Sequence, residues 1–497
     1  MRQFRPALSH PVSYCRVAIA WLAYLAVPGV ALAQTRPAGA PRTDLPASAG
    51  TVDSAPPFAR ARRLSDADLA KKREGTFLTG LPDLSSDPVA GFGYGARLNV
   101  IRNGTRADPL FAYTPYRAKL RIGAYNTTQE QRELVLSLDV PYVRGTRWRL
   151  KVDAVAGTTP AKLYFGLTEA TLGALRLPSG TRARFATYEE FDRARKTLRP
   201  GGPGEAARVT DALSNRFGEE ELMLNLKADR ALGSGTRAGR WKVLAGYEIQ
   251  RLRYRTFAGR TADAIDPATG AETEAPNGTS LLGRDFAQGA VGGLAGGRVS
   301  ILQQALLYDT RDFEPDPTRG VYFEVANEWS NATIGSEFAF DKLFTQVKAF
   351  RRLPVGPRTV LAARLGAGNI FGRRAPFFEY QDQWSPDGSV NALGGARSLR
   401  GYRANRFLGR AMWFGNAELR ARLAEVSVGR QRFGLGVAPF VDAGTVRDRW
   451  QDLDLGRVRW AYGAGARVAW NQSTMISLDV GRSREDQLLF FGLGQSF

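Results

Sequence analysis

The chain has 497 residues, 43% of them hydrophobic, with 54 Gly, 26 Pro and a formal net charge of +21. That length holds one large barrel or two or three ordinary domains, and the composition is too polar for a bundle of membrane-spanning helices. The only Cys and the only His are Cys15 and His10. If the N-terminus is removed as read below, the mature chain has no disulfide, no His-based triad, no His-ligated metal and no Cys nucleophile, so no cofactor or metal is expected.

The N-terminus begins with Arg2, Arg5 and Arg16, followed by an apolar run from Val17 to Val30 that is cut by Pro28 and Gly29. Ala31-Leu32-Ala33 then offers small residues around a cleavage point before Gln34. Residues 1–33 read as a secretory signal peptide, too short for a stable span. Cys15 precedes the apolar run, which argues against a lipoprotein anchor. No later stretch of about 18 apolar residues follows, so no helical span is expected. Residues 34–90 read as a periplasmic linker: Gln34–Arg63 is rich in Pro, Ala, Arg and Ser. Ser65–Glu74 fits one short helix, capped by Ser65 or Asp66 and stopped by Gly75.

From Gly91 the pattern becomes period two. Leu134, Leu136, Leu138, Val140 and Tyr142 alternate with Glu133, Val135, Ser137 and Asp139, and Leu222, Leu224, Leu226 and Ala228 alternate with Glu221, Asn225, Lys227 and Asp229. Successive strand residues face opposite sides, so each run has one apolar and one polar face. Sixteen segments follow this pattern: 91–105, 115–126, 132–142, 147–158, 163–169, 219–232, 240–257, 297–311, 320–331, 338–353, 358–372, 411–423, 433–446, 459–470, 473–482 and 486–497.

Strand length and the aromatics Trp148, Trp241, Trp329, Trp413, Trp460 and Trp470 near strand ends favour a membrane barrel over a soluble sandwich. The fold expected is all-β, a transmembrane antiparallel β-barrel of about 16 strands over residues 91–497. With a periplasmic N-terminus, the long connections 170–218, 258–296 and 373–410 fall outside, and 127–131, 159–162, 354–357 and 471–472 inside. Leu489, Phe491, Leu493 and Phe497 read as one face of the last strand, with Phe497 as an assembly signal. Gly91, Gly93 and Gly95 on the first segment and Gly492 and Gly494 on the last read either as a weak join at the closing seam or as relief of crowding in the lumen.

Four patterns in the C-terminal half narrow the reading. They are Tyr308-Asp309-Thr310-Arg311-Asp312 followed by Pro315, Pro317 and Gly320; Gly394-Gly395-Ala396-Arg397-Ser398-Leu399-Arg400-Gly401-Tyr402; Asn416-Ala417-Glu418-Leu419-Arg420; and Phe440-Val441-Asp442-Ala443-Gly444. Asp442 falls on a polar face with Gly436, Ala438 and Gly444, and Glu418 on another with Asn416, Arg420 and Arg422. Both acids thus point to the enclosed side, where an arginine from a long loop can meet them. Gly401 permits a sharp turn, and Tyr402 adds an amphipathic plug. In the first pattern, Pro and Gly mark a periplasmic turn that Asp309, Arg311, Asp312 and Gly320 hold in a structural role.

Together the four patterns resemble the BamA/TamA superfamily, the bacterial surface antigen family, over roughly Gly91–Phe497. The resemblance implies an outer-membrane location and an inward-folded sixth extracellular loop whose Arg400 pairs with Asp442. It also implies a barrel that inserts or translocates proteins, or moves lipid, opening at its seam. Family members carry periplasmic POTRA domains, and Gln34–Ala90 is too short for one. The alternative is a passive, anion-preferring pore or structural surface barrel lined by Arg420, Arg422, Arg467 and Asp479. An enzyme is not expected, because known barrel hydrolases rely on His. The positive charge reads either as a solubilising surface or as attraction to outer-membrane lipid and lipopolysaccharide. Periplasmic or client proteins are the other expected partners, and export argues against nucleic acid.

Overall fold

A chain that alternates apolar and polar residues buries neither face by itself. It gains two environments only when neighbouring strands pair and the sheet closes on itself. The computed structural model describes residues 72–497 except 88–89, 179–182, 234–239, 313, 315, 356–357, 373–374, 429–430 and 471–473, together with residues 59, 64 and 69. The signal peptide read at residues 1–33, nearly all of residues 34–71 of the linker read at 34–90, and most of the helix read at Ser65–Glu74 lie outside the described residues. All of the architecture below belongs to the unit Ala55–Phe497.

Among the described residues, sixteen antiparallel strands close one barrel. They are β1 (Gly75–Asp87), β2 (Gly91–Gly104), β3 (Ala118–Thr127), β4 (Arg132–Val140), β5 (Trp148–Leu163), β6 (Arg216–Ala231), β7 (Trp241–Thr256) and β8 (Gly297–Asp309). The ring continues through β9 (Gly320–Ser330), β10 (Phe340–Leu353), β11 (Thr359–Phe371), β12 (Ala411–Val428), β13 (Gln431–Arg447), β14 (Arg459–Trp470), β15 (Thr474–Arg482) and β16 (Gln487–Leu493). Each pairs with the next in sequence, and β16 returns to β1.

The apolar faces look out. Leu222, Leu224 and Leu226 on β6, Leu361 and Leu365 on β11, and Val437 and Val441 on β13 are exposed, while their alternates are covered. The enclosed face is polar and paired. Lys342 on β10 sits 2.9 Å from both Glu328 on β9 and Glu379 of the β11–β12 loop. Such alternation, greasy outside and charged inside, inverts a soluble sandwich, and hydrocarbon is the solvent that favours it.

Three sequence expectations change. First, the barrel begins at Gly75, inside the segment read as linker, because β1 pairs with β2 from Gly75–Gly104 to Asp87–Gly91. Gly80 and Pro82 break its alternation and hid it. A proline lacks the N–H that a ladder uses, and an edge strand tolerates that loss best. Second, the segment 163–169 is not a strand. β5 runs on to Leu163, absorbing 159–162, and Tyr164 starts a loop in which it packs against Phe377. One missed strand and one false one offset each other, so the count of sixteen and the numbering from β6 onward are unchanged. Third, the connection after β3 moves to the end of the barrel that carries the long loops, because β1 reverses the direction of β2 and β3. The connections 164–215, 257–296 and 372–410 leave from that same end.

An outward position near the middle of a strand tests the orientation. Leu365→Arg is expected to lower stability by about 2–4 kcal/mol, measured by urea unfolding in lipid vesicles. No loss there would show that this face does not meet hydrocarbon.

Candidate functional site

The 372–410 loop between β11 and β12 is built around glycines that a side chain would obstruct. Gly394 has φ +116, and a Cβ there would lie 2.1 Å from the Arg403 carbonyl oxygen. Gly401 has φ +120, and its Cβ would lie 2.7 Å from the Arg482 carbonyl carbon of β15. Facing it, a Cβ on Gly481 would lie 2.6 Å from the Arg400 carbonyl carbon. The loop backbone therefore lies directly on the strand backbone. The Ser483 hydroxyl donates to the Gly401 carbonyl at 2.7 Å and fixes the contact. Ser398 closes the turn from within, accepting from the Gly394 N–H at 3.0 Å.

That contact delivers Arg400 to the covered faces of β12, β13 and β15, where it is 1% exposed. Its Nε and Nη2 donate to the two Asp442 oxygens at 2.9 and 2.8 Å, and its own backbone N–H donates to Asp442 Oδ2 at 3.0 Å. Nη1 donates to Glu418 and, at 3.0 Å, to the Ser496 hydroxyl; Asp479 lies 3.5 Å away. The guanidinium also covers the Phe440 ring, 3.5 Å from its centroid.

Neighbouring polar side chains hold the acids in place. Asn416 donates to Asp442 Oδ1 and to the Ser398 carbonyl, each at 2.7 Å, and accepts from Arg364. Arg420 donates to Glu418 at 2.8 Å, and Arg467 donates to Asp479. Burying so many charges is tolerable only when each is paired in good geometry. Sequence reasoning placed Arg400, Gly401, Asp442 and Glu418 in one neighbourhood, and the structure brings all four together. Tyr402 is buried beside them, but its ring packs on Phe407 among Leu393, Leu399 and Phe414. Asn416, Arg364, Arg467 and Asp479 were not assigned to the cluster. Their polar-face parity was the available signal.

The Asp309–Gly320 motif joins the same loop. Arg311 binds Asp309 at 3.0 Å and, through two nitrogens, Asp387 of the loop at 3.0 and 3.1 Å; Lys348 on β10 donates to the same Asp387 at 2.7 Å. Asp312 accepts from the Thr318 N–H at 2.9 Å. A Cβ on Gly320 (φ +109) would lie 2.4 Å from the Thr310 carbonyl oxygen. The loop thus leaves one end of the barrel and is fastened to a turn at the other. Burial pushes the Asp387 carboxyl up, but Lys348 and Arg311 outweigh it and hold the group below its usual range.

The end of the chain departs from expectation. Leu489 is exposed on the outward face of β16. The strand, however, stops at Leu493, and Gly494 (φ +105) turns residues 495–497 to the enclosed side. Phe497 packs with Phe350, Val360 and Ala362 on covered faces, and its carbonyl oxygen accepts from Arg420 at 3.0 Å. Gln495 accepts from Arg467 and donates to Asp316, each at 3.0 Å. Phe497 is therefore not on the lipid face with Leu489. The seam residues are corrected too. Gly91, Gly93 and Gly95 belong to β2, whose neighbours are β1 and β3, so only Gly492 and Gly494 border the seam. The tight packing at Gly95, where a Cβ would lie 2.3 Å from the Ala124 carbonyl oxygen, accounts for one of the β2 glycines by sterics alone.

An even, closed ring with an apolar exterior and an ion-paired interior crossed by a loop defines a transmembrane β-barrel of the outer-membrane type. Residues 118–497 match the model of the Omp85 superfamily domain, and the chain belongs to that superfamily. It is accordingly an outer-membrane protein. Residues 55–117 match a domain of unknown function, DUF5982. No curated protein sequence matches the chain. Among solved structures it is similar to BamA from Haemophilus ducreyi lacking POTRA domains 1–3, at 14% identity and a TM-score of 0.46, with 85% of this chain and 70% of that one covered. It is also similar to CdiB from Escherichia coli, at 11% identity and a TM-score of 0.49, with 84% of this chain and 62% of that one covered.

Asp442→Ala strands the Arg400 charge and is expected to cost about 3–5 kcal/mol. Lost heat-resistant mobility on gels and faster cleavage of the loop at Arg397 would report it. Unchanged values for both would remove Arg400 from any anchoring role. Asp387 tests the far anchor by pH. Its folded pKa is depressed, so its contribution is full above the ordinary carboxylate value and is lost as pH falls through the lower folded value. Asp387→Asn should therefore weaken the barrel at neutral pH and flatten the acid limb of its stability curve. A parallel downward shift of the whole curve would argue against the ion pair.

Proposed function

We propose that this barrel assists the insertion or translocation of proteins at the outer membrane by parting at the join between β1 and β16. The observation that carries the reading is the join itself. Among the described residues, β1 and β16 meet in register only at Ser86–Phe491. By contrast, β15 and β16 stay in register from Ile476–Leu493 to Arg482–Gln487. Unpaired backbone groups have no water partner in hydrocarbon, so an edge in that setting favours pairing with another strand. The loop and tail anchored to β9, β10, β12, β13 and β15 would brace the remaining wall while the join opens.

The passive-pore reading loses support from the same cluster. Arg420, Arg467 and Arg422, expected to line an anion path, are paired with Glu418, Asp479 and Asp316. The proposal assigns no catalytic residue.

A disulfide across the join tests it. With Ser86→Cys and Phe491→Cys in reconstituted vesicles, the oxidised protein should fail to speed folding of an added, urea-unfolded outer-membrane barrel, and reductant should restore it. Equal rates in both redox states would discard seam opening. Large, steady, anion-selective currents in planar bilayers would favour the pore instead.

A further inference from the structure

Where strands reach the long-loop end, several outward faces carry aromatic residues. Trp460 and Tyr462 on β14 are 60% and 57% exposed, and Phe92 and Tyr94 on β2 are exposed as well. β7 is different. The face that presents Val243 and Ile249 to the exterior continues as Arg251, Arg253 and Arg255, all exposed. In register, Arg251 stands opposite Arg298 of β8, which is also exposed and outward. On the β6 side, Arg253 stands opposite Glu220 and Arg255 opposite Gly218. The Arg255 side chain lies over that glycine: a Cβ on Gly218 would sit 2.7 Å from Arg255 Nε. Arg298 Nε donates to the Gly335 carbonyl at 2.7 Å, which holds its guanidinium at the rim.

Among the described residues, no carboxylate forms an ion pair with Arg251, Arg253 or Arg255, Glu220 included. This is unlike Arg400, Arg420 and Arg467 of the interior, which are matched to acids. Like charges directly opposite on paired strands are destabilising unless something of the other sign lies between them. Residues two apart on one face are spaced by about 6.8 Å, so the β7 row spans about 14 Å. It begins where the outward apolar belt ends, at the depth of lipid headgroups. A guanidinium fork matches phosphate oxygens in pairs, and the adjoining leucines and Ile249 suit acyl chains.

We propose that the outer rim over β6–β8 binds the phosphate-bearing headgroup of a glycolipid in the surrounding leaflet. Arg251, Arg253 and Arg298 take the phosphates, and Arg255 borders them. The site is a feature of the outer wall, away from β1 and β16, and it does not depend on the seam opening.

The test uses the full chain in detergent, titrated with bisphosphorylated lipid A, with monophosphoryl lipid A and with inorganic phosphate. The native protein should bind the bisphosphorylated form best, the monophosphoryl form less well, and inorganic phosphate should not displace either. Arg251→Gln/Arg253→Gln/Arg298→Gln should weaken lipid binding about tenfold or more, the loss expected for several charge-assisted contacts. Arg230→Gln, at the opposite end of β6, should leave binding unchanged. Heat-modifiable gel mobility checks that the variants fold. If the triple variant does not fold, Arg253→Gln alone should still weaken binding measurably. Native-like lipid binding by the arginine variants, an equal loss in Arg230→Gln, or full displacement by inorganic phosphate would each overturn the assignment.

Discussion

A strand in hydrocarbon has no water to accept its backbone N–H and C=O groups, so every such group must find another strand. That requirement explains why sixteen strands close into a ring and why the polar alternates turn inward. It also concentrates the cost of any defect at the place where the ring is joined. Among the described residues the ladders are long around the wall and reduced to one registered pair between β1 and β16. Pro82 on β1 fits the same picture, since a residue without an N–H is better placed on a strand with an incomplete partner.

A wall with one weak join needs its remaining strands held by other means, and the interior supplies them. Arg400 draws on β12, β13 and β15 at once, through Glu418, Asp442 and Asp479. Lys342 joins β9 and β10 to Glu379, and Lys348 and Arg311 join β10 and the turn after β8 to Asp387. Buried ion pairs add little net stability against a well-packed apolar core, but breaking one partner is costly. Such a network fixes which loop conformation is allowed more than it deepens the fold, and rigid geometry is what a brace requires.

The sequence made the barrel legible because side-chain alternation reports the two environments directly, and Arg400 with its acids legible because glycine turns and polar-face parity reduced the choices. What stayed hidden has physical reasons. β1 borders the weakly registered join, and Gly80 and Pro82 interrupt the alternation that a fully paired strand keeps. The segment 163–169 is apolar because it packs among loops, with Tyr164 against Phe377, and packing of that kind leaves no period. The inward course of Phe497 depends on one left-handed residue, Gly494. A phenylalanine continuing a greasy alternation gives no sign of a turn placed just before it. The register between strands, which sets Arg251 against Arg298 and Ser86 against Phe491, is a tertiary property that no single segment encodes.

The turn at Gly494 bears on how the last strand is held. Ser496 donates to Glu418 and accepts from Arg400, so it touches β12 and the loop at once. Phe497 likewise enters a niche whose walls come from β10 and β11. Residues 495–497 thus tie β16 from within to β10, β11 and β12, strands that it does not touch along the wall. One side of the join is thereby stitched to the loop without lengthening any ladder.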